Sequence, residues 1–320
     1  MSAPTIDQAA GPAPAQAAGS APAAPPAPGP APRPAAGVPG APDDPGPARS
    51  PGRRRFLLGA WAVSLLAVLL TGFTGYLFTL SHLQERHFQS TSYKSFRDQL
   101  AKAVAPTGAA ADGEPVALLD IPAIGLHQAV VVEGTTGRDL MRGPGHRRDT
   151  ALPGQQGVSV VFGRGASFGS PFARLSELRV GDRIETTTGQ GTFSYTVNVY
   201  GGADQPITDP AANRLVLVTG DSGRVPGGTV LIGARLDGVA QPNPGGRPAS
   251  TPYDKALAAD KGALAALQLW MLALLGAVTA ATLTARYWRR TAAYLSLAPV
   301  LGAVLWNVYE NAAALLPNLY

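Results

Sequence analysis

Apolar residues fall along this chain in two patterns. Between residues 114 and 238 they come in short runs broken by Gly, Pro, Asn and Asp: 116–121, 129–133, 158–162, 183–188, 192–200, 215–219 and 229–236. Runs of this length, rich in Val, Ile, Thr and Tyr, predict strands, and Gly189-Gln190-Gly191 between two of them reads as a hairpin turn. So many short strands packed so closely predict one all-β barrel or sandwich.

The second pattern is long. Phe56 to Leu80 carries no charge, and at ~1.5 Å per residue a helix over it crosses a hydrocarbon layer of ~30 Å. Two further runs cover Gly262 to Ala285 and Thr291 to Tyr309. Three transmembrane α-helices are therefore expected, over 53–80, 262–285 and 291–312. A signal peptide is the rival reading of the first run. That run is too long for a signal core, starts late and is not promptly followed by a small-residue cleavage site. Arg53-Arg54-Arg55 and Arg286, Arg289 and Arg290 flank the runs, and the positive-inside rule places both clusters in the cytoplasm. A multi-pass cell-membrane protein follows, with residues from about 81 to 260 and Tyr320 outside. Tyr287, Trp288, Trp306 and Tyr309 stand near span ends, as interfacial aromatics do. Glu310, beside Asn307 and Asn311, is read as the outer end of the third span rather than as a functional intramembrane carboxylate.

The connecting segments differ again. Leu83, Phe88, Tyr93, Phe96, Leu100 and Val104 recur at roughly helical spacing, which predicts an amphipathic stalk helix and linker over 81–113. Residues 1–52 are dominated by Ala, Pro and Gly and read as a disordered cytoplasmic tail, while 239–261, with Pro242, Pro244, Gly245 and Gly246, read as a linker back to the membrane.

Composition sharpens this picture. Hydrophobic residues make up 45% of the 320 and charged residues 15%, with Gly 38 and Pro 30, unlike a single soluble enzyme. The net charge of +5 is carried largely by arginines that are scattered or flank apolar runs, so no nucleic-acid partner is indicated. Cys 0 removes disulfides, thiolate metal sites and cysteine nucleophiles, and four His make a histidine-rich metal centre improbable, so no metal or cofactor is expected. The glycines at 163–169 lack the Gly-Lys-Ser/Thr ending of a phosphate loop.

The β region carries an ordered set of motifs. They are Leu119-Asp-Ile-Pro-Ala-Ile-Gly-Leu126, Val132-Glu-Gly-Thr135 with Leu140 and Gly143-Pro-Gly-His146, Leu152-Pro-Gly154, Val161-Phe-Gly-Arg-Gly165, Gly181-Asp182, and Leu215-Val-Leu-Val-Thr-Gly220. Taken in order, they resemble the sortases, membrane-anchored cysteine transpeptidases of Gram-positive bacteria. The resemblance implies a sortase-like barrel over 114–238, with a helix and loop after Val132. It also implies a site of three side chains: a cysteine that attacks the Thr-Gly bond of a sorting signal, a histidine that moves protons and an arginine that stabilises the oxyanion or positions substrate.

All three positions depart from that pattern. The cysteine position is Gly220, the histidine position Arg164 and the arginine position Thr229, with Arg224 as a substitute if the loop is shifted. Glycine has no nucleophilic atom, and an arginine with a pKa above ~12 is no general base near neutral pH. No catalytic residue is assigned, and Arg164, Asp221, Ser222 and Arg224 are candidate groove-binding residues. Arg164 either pairs with Asp221 across the groove or extends into water. His146 is read as a loop residue without catalytic role, His127 as a strand-face residue, and His82 and His87 as part of the stalk.

The expected function is that of a catalytically inactive, sortase-like pseudoenzyme of an actinobacterial-type cell envelope. It would act as a binding or scaffold module for a surface protein, a sorting-signal-like peptide or an active sortase. A transpeptidase or hydrolase using a noncysteine nucleophile such as Ser222, with His146 and Asp221, is the second reading. A purely structural membrane scaffold is the third.

Overall fold

The computed structural model describes residues 51–202, 207, 211–221, 227–287 and 290–320. Most of the 1–52 tail, Ser222, Arg224, Trp288 and Arg289 lie outside these residues.

The strands form where the apolar runs predict them. They are β1 (Pro115–Ile121), β2 (Leu126–Glu133), β3 (Gly145–His146), β4 (Val158–Phe162), β5 (Arg183–Thr188), β6 (Gly191–Gly202), β7 (Arg214–Gly220) and β8 (Thr229–Asp237). They close into a barrel in the order β1-β2-β3-β4-β7-β8-β6-β5. Alternate residues, including Val116, Leu119, Ile184, Tyr195, Val197, Leu215 and Leu217, fill its interior as strand periodicity requires. Two-residue β3 is too short to leave a sequence signal. The helix expected after Val132 is instead a single 3₁₀ turn, Asp139–Met141, because Asp139 accepts from the N–H and hydroxyl of Thr136 and tightens the chain into a turn.

Four long helices accompany the barrel. Helix α1 (Pro51–Gly75) passes through a π-helical turn, Tyr76–Leu80, into α2 (Ser81–Ala101), and α3 (Ala263–Tyr287) is followed by α4 (Arg290–Ala314), which runs back beside it. Among the described residues two helices are long and apolar enough to cross a membrane, one within Gly59–Ala101 and the other Ala263–Tyr287. The third expected span is not among them. Its second half carries Asn307, Glu310 and Asn311, and its last turns, with Asn311, Ala313 and Ala314 buried, pack toward the barrel. Trp306 and Tyr309 form no free interfacial belt there, since both rings pack against Tyr76 of the π turn, edge-on at 5.3 Å and tilted at 5.8 Å. Gly72 permits this approach: a Cβ there would stand 2.5 Å from the Tyr309 hydroxyl, which bonds the carbonyl of Leu69.

Neither connecting segment is loose. Helix α2 lies against β1 and β2, with Phe96 buried, and the Gln89 amide bonds both the N–H and the carbonyl of Val130. Leu83 and Val104 are exposed and lie outside this packed face. Residues 239–261, the expected linker, run along the barrel as a strap. Gln241 exchanges main-chain bonds with Gly154 and Gln156, and Arg247 reaches the buried Glu133 at 3.4 Å. Asp254, fully buried, caps Thr251 and pairs with Arg148 at 3.0 Å.

Burial alone would raise the Asp254 pKa, but Thr251, Arg148 and the Thr135 N–H together hold it below the usual aspartate range. A depressed folded pKa stabilises the fold above the unfolded value of ~3.9, and that contribution is lost as pH falls through the lower folded value. Asp254→Asn should therefore cost roughly 1–3 kcal/mol at pH 7, and the cost should shrink progressively as the pH is lowered past the unfolded value of ~3.9, read by denaturant unfolding across a pH series.

Candidate functional site

Strands β4 and β7 run parallel and in register, Val158 with Arg214 through Phe162 with Val218, so their ends emerge together. The turn Gly163–Ser167 follows β4, and Gly220 ends β7 in register with Thr229, the first residue of β8. A Cβ on Gly165 would lie 3.3 Å from Thr219 Oγ1 and 3.7 Å from the carbonyl oxygen of Gly220. Sequence-predicted positions 164, 220 and 229 are thus neighbours along the backbone. Beside them lies a cavity of about 150 Å³, lined among others by Gly165, Thr219, Gly220, Asp221 and Leu319.

The Arg164 side chain does not enter that cavity. It is completely buried and turned toward the loop that carries the 3₁₀ turn and toward the chain beyond α4. Its Nε donates to the carbonyl of Leu140 at 3.2 Å and its Nη2 to Gly137 at 2.8 Å. Its Nη1 donates to Ser167 Oγ at 3.2 Å and to the main-chain oxygen of Tyr320 at 3.1 Å. The guanidinium also lies 4.9 Å from the ring centroid of Phe168. Burial pulls its pKa down to about 9, so it remains charged at neutral pH.

Both expectations for Arg164 are therefore corrected: it neither meets Asp221 nor extends into water. No ion pair joins the two among the described residues. The physical reason is acceptor supply. Gly137, Leu140 and Tyr320 offer carbonyls inside, whereas the Asp221 carboxylate is drawn to the N–H of Gly227 at 3.2 Å across the β7–β8 turn. Asp221 and Gly220 remain at the cavity, and Thr229 lines an outer groove.

That groove, about 400 Å³, lies on the β4–β7–β8 face between Phe162, Val218, Thr229 and Leu231 and the strap residues Ser250 and Lys255. His146 is fully buried on another face. Its Nδ1 faces Glu133 at 3.0 Å and its Nε2 faces the carbonyl of Ala151 at 2.8 Å, leaving no ring nitrogen free for a serine. His127 sits on β2, mostly exposed, beside Asp120.

Sequence reading missed the partners that fix Arg164. Ser167 lies in the same turn, but Gly137 and Leu140 are more than twenty residues away and Tyr320 more than a hundred and fifty, and no spacing links them. The one local signal is Pro317, which stops α4 and frees the residues after it.

The closed eight-stranded barrel, in which parallel β4 and β7 end side by side, is sortase-like. The sortase domain model matches residues 119–223 of this chain. Sortase D of Bacillus subtilis (strain 168) is 33% identical over 85 residues, which cover 27% of this chain and 41% of that protein. The chain thus spans about two fifths of the length of that curated relative. Among solved structures, a Clostridium perfringens Sortase D5 transpeptidase is 24% identical with a TM-score of 0.39, covering 48% of this chain and 99% of its own. Sortase E from Streptomyces avermitilis is 29% identical with a TM-score of 0.35, covering 40% and 91%.

Loss of Arg164 would leave the carbonyls of Gly137 and Leu140 buried and unpaired, at ~1–3 kcal/mol each. Arg164→Ala should therefore destabilise the chain by roughly 2–5 kcal/mol, and Arg164→Lys should recover less than half, because an ammonium cannot span four acceptors. Thermal and denaturant unfolding in detergent measures both, and a loss within ~0.5 kcal/mol of zero would contradict the anchoring role.

Proposed function

We propose that this chain is a membrane-anchored binding module built on the sortase fold, one that does not carry out acyl transfer. The observation that carries the reading is Gly220 at the position the resemblance assigns to the nucleophile, in a chain with no cysteine at all. The interior role of Arg164 supports it, since the side chain at the proton-transfer position is committed to holding the fold. The β4–β7–β8 groove is the seat for a ligand, an extended peptide or a segment of a surface protein or of an active sortase. Its apolar floor of Phe162, Val216 and Val218 suits aliphatic side chains, and the exposed strand ends suit a main chain.

Full-length chain incubated with sorting-signal peptides should neither cleave nor transpeptidate them and should trap no acyl-enzyme, while fluorescence anisotropy should register peptide binding that Val218→Asp weakens at least tenfold. Turnover above a blank, abolished by Ser222→Ala, would replace this reading with noncysteine catalysis. Folded protein that binds no peptide would leave the structural scaffold, a reading favoured by the ties between barrel and α4.

The same proposal sets the barrel outside the cytoplasmic membrane and the arginine clusters inside. Cysteines introduced at Ser2 should be shielded from an impermeant thiol reagent in intact cells, and one at Val239, 86% exposed on the barrel, should label. Labelling at Ser2 would reverse the orientation.

A further inference from the structure

The cavity beside Gly220 is walled in part by the chain itself. After α4 ends at Ala314 the chain turns back onto the barrel, and Tyr320 N–H bonds the carbonyl of Pro317, making a compact turn of Pro317–Tyr320. Asn318 N–H donates to Ala258, and its amide donates to the carbonyls of Thr135 at 2.8 Å and Lys255 at 2.9 Å. Leu319, fully buried, sits among Leu140, Phe162 and Val218, and its carbonyl accepts from Gly165 N–H at 3.0 Å. The Tyr320 oxygen accepts from both Ser167 Oγ, at 2.6 Å, and Arg164.

We propose that Pro317–Tyr320 is a cis-acting closure of the family site, a strap that covers the cavity beside Gly220 and opens as a unit while the barrel stays folded. The inference rests on the fold of this chain alone and not on the binding reading above.

Two observations make separate opening the physical expectation. First, the strap is one four-residue turn held by a handful of hydrogen bonds and a single buried aliphatic side chain, whereas the barrel beneath it is a closed ladder; such small units open locally at lower cost than the whole fold. Second, the closed state leaves polar atoms unpaired. Thr219 Oγ1, 3% exposed on the cavity wall, and Asn318 Oδ1 have no hydrogen-bond partner, so opening returns two groups to water that closure leaves unsatisfied. Opening also uncovers a row of donors, the Gly165 N–H, the Arg164 guanidinium and the Ser167 hydroxyl, which the strap's main-chain oxygens occupy when shut.

The native absence of cysteine makes a clean reporter available. In full-length protein in detergent micelles, Thr219→Cys places a single thiol on the cavity wall without removing a hydrogen bond. Combining it with Leu319→Asp should speed its reaction with a small thiol reagent at least tenfold. A single cysteine from Val161→Cys, inside the barrel, should stay as slow with Leu319→Asp as without it. An unchanged rate at position 219, or an equal rise at both positions, would overturn the proposal. Should Leu319→Asp fail to fold, hydrogen exchange on the unaltered chain decides. The Gly165 amide, whose acceptor is Leu319, should exchange at least tenfold faster than the Leu217 amide in the barrel, and equal rates would show that the strap opens only with the whole fold.

Discussion

A guanidinium shut away from water must have its N–H groups met by oxygens, and the arrangement of this molecule around Arg164 follows from that demand. The side chain draws two carbonyls from the 135–142 loop, one hydroxyl from its own turn and one main-chain oxygen from the segment after α4. The four acceptors come from three pieces of chain. Satisfying one side chain therefore fixes the barrel's site loop, the turn before β3 and the end of the helical hairpin relative to one another. Gly137 belongs to the same constraint, because a Cβ there would press to 3.1 Å from the carbonyl oxygen of Ala314.

The packing around this point repeats the constraint in apolar form. Phe168, three residues past Gly165, lies under the guanidinium and edge-on to Tyr76, whose ring meets Trp306 and Tyr309. The π turn at Tyr76–Leu80 makes this possible by widening the helix: Ser81 Oγ donates to the carbonyl of Leu77 and accepts from the N–H of Phe168. One helix thus meets the site loop with a polar bridge and an aromatic face in adjacent turns. The barrel is thus joined to this helix by direct side-chain contacts as well as by the chain itself.

How far this was legible from sequence depends on the distance over which each feature is encoded. Strands β1, β4, β5 and β7 are written locally, as runs of Val, Ile, Leu and Thr between turn residues, and they form within a residue or two of where the pattern places them. The Gly220 and Arg164 departures are also local, since they need only motif order. The strap at 239–261 was hidden because Pro and Gly mark an irregular chain equally well whether it is free or pinned. Its pins are Arg247 on Glu133 and Arg148 on Asp254, pairs over a hundred residues apart. The third span failed for a related reason: Asn307 and Asn311 read as an interfacial end, whereas Asn311 is buried and accepts from Arg138 at 2.8 Å.

The course of the Arg164 side chain follows from what an arginine needs at this position. A histidine for proton transfer has to keep one nitrogen free toward the groove, and that requirement holds the side chain outward. Arginine carries no such requirement but has five donors to satisfy, so the lowest-energy place for it is wherever oxygens cluster. Here they cluster inward, under the loop and against Tyr320, and the side chain leaves the groove altogether. With glycine on β7 adding no bulk, the space between the strand ends stays open as a cavity rather than closing on itself. The ends of β4 and β7 thus serve as a joint: through Arg164 and Gly165 they hold the barrel to the segment that follows α4.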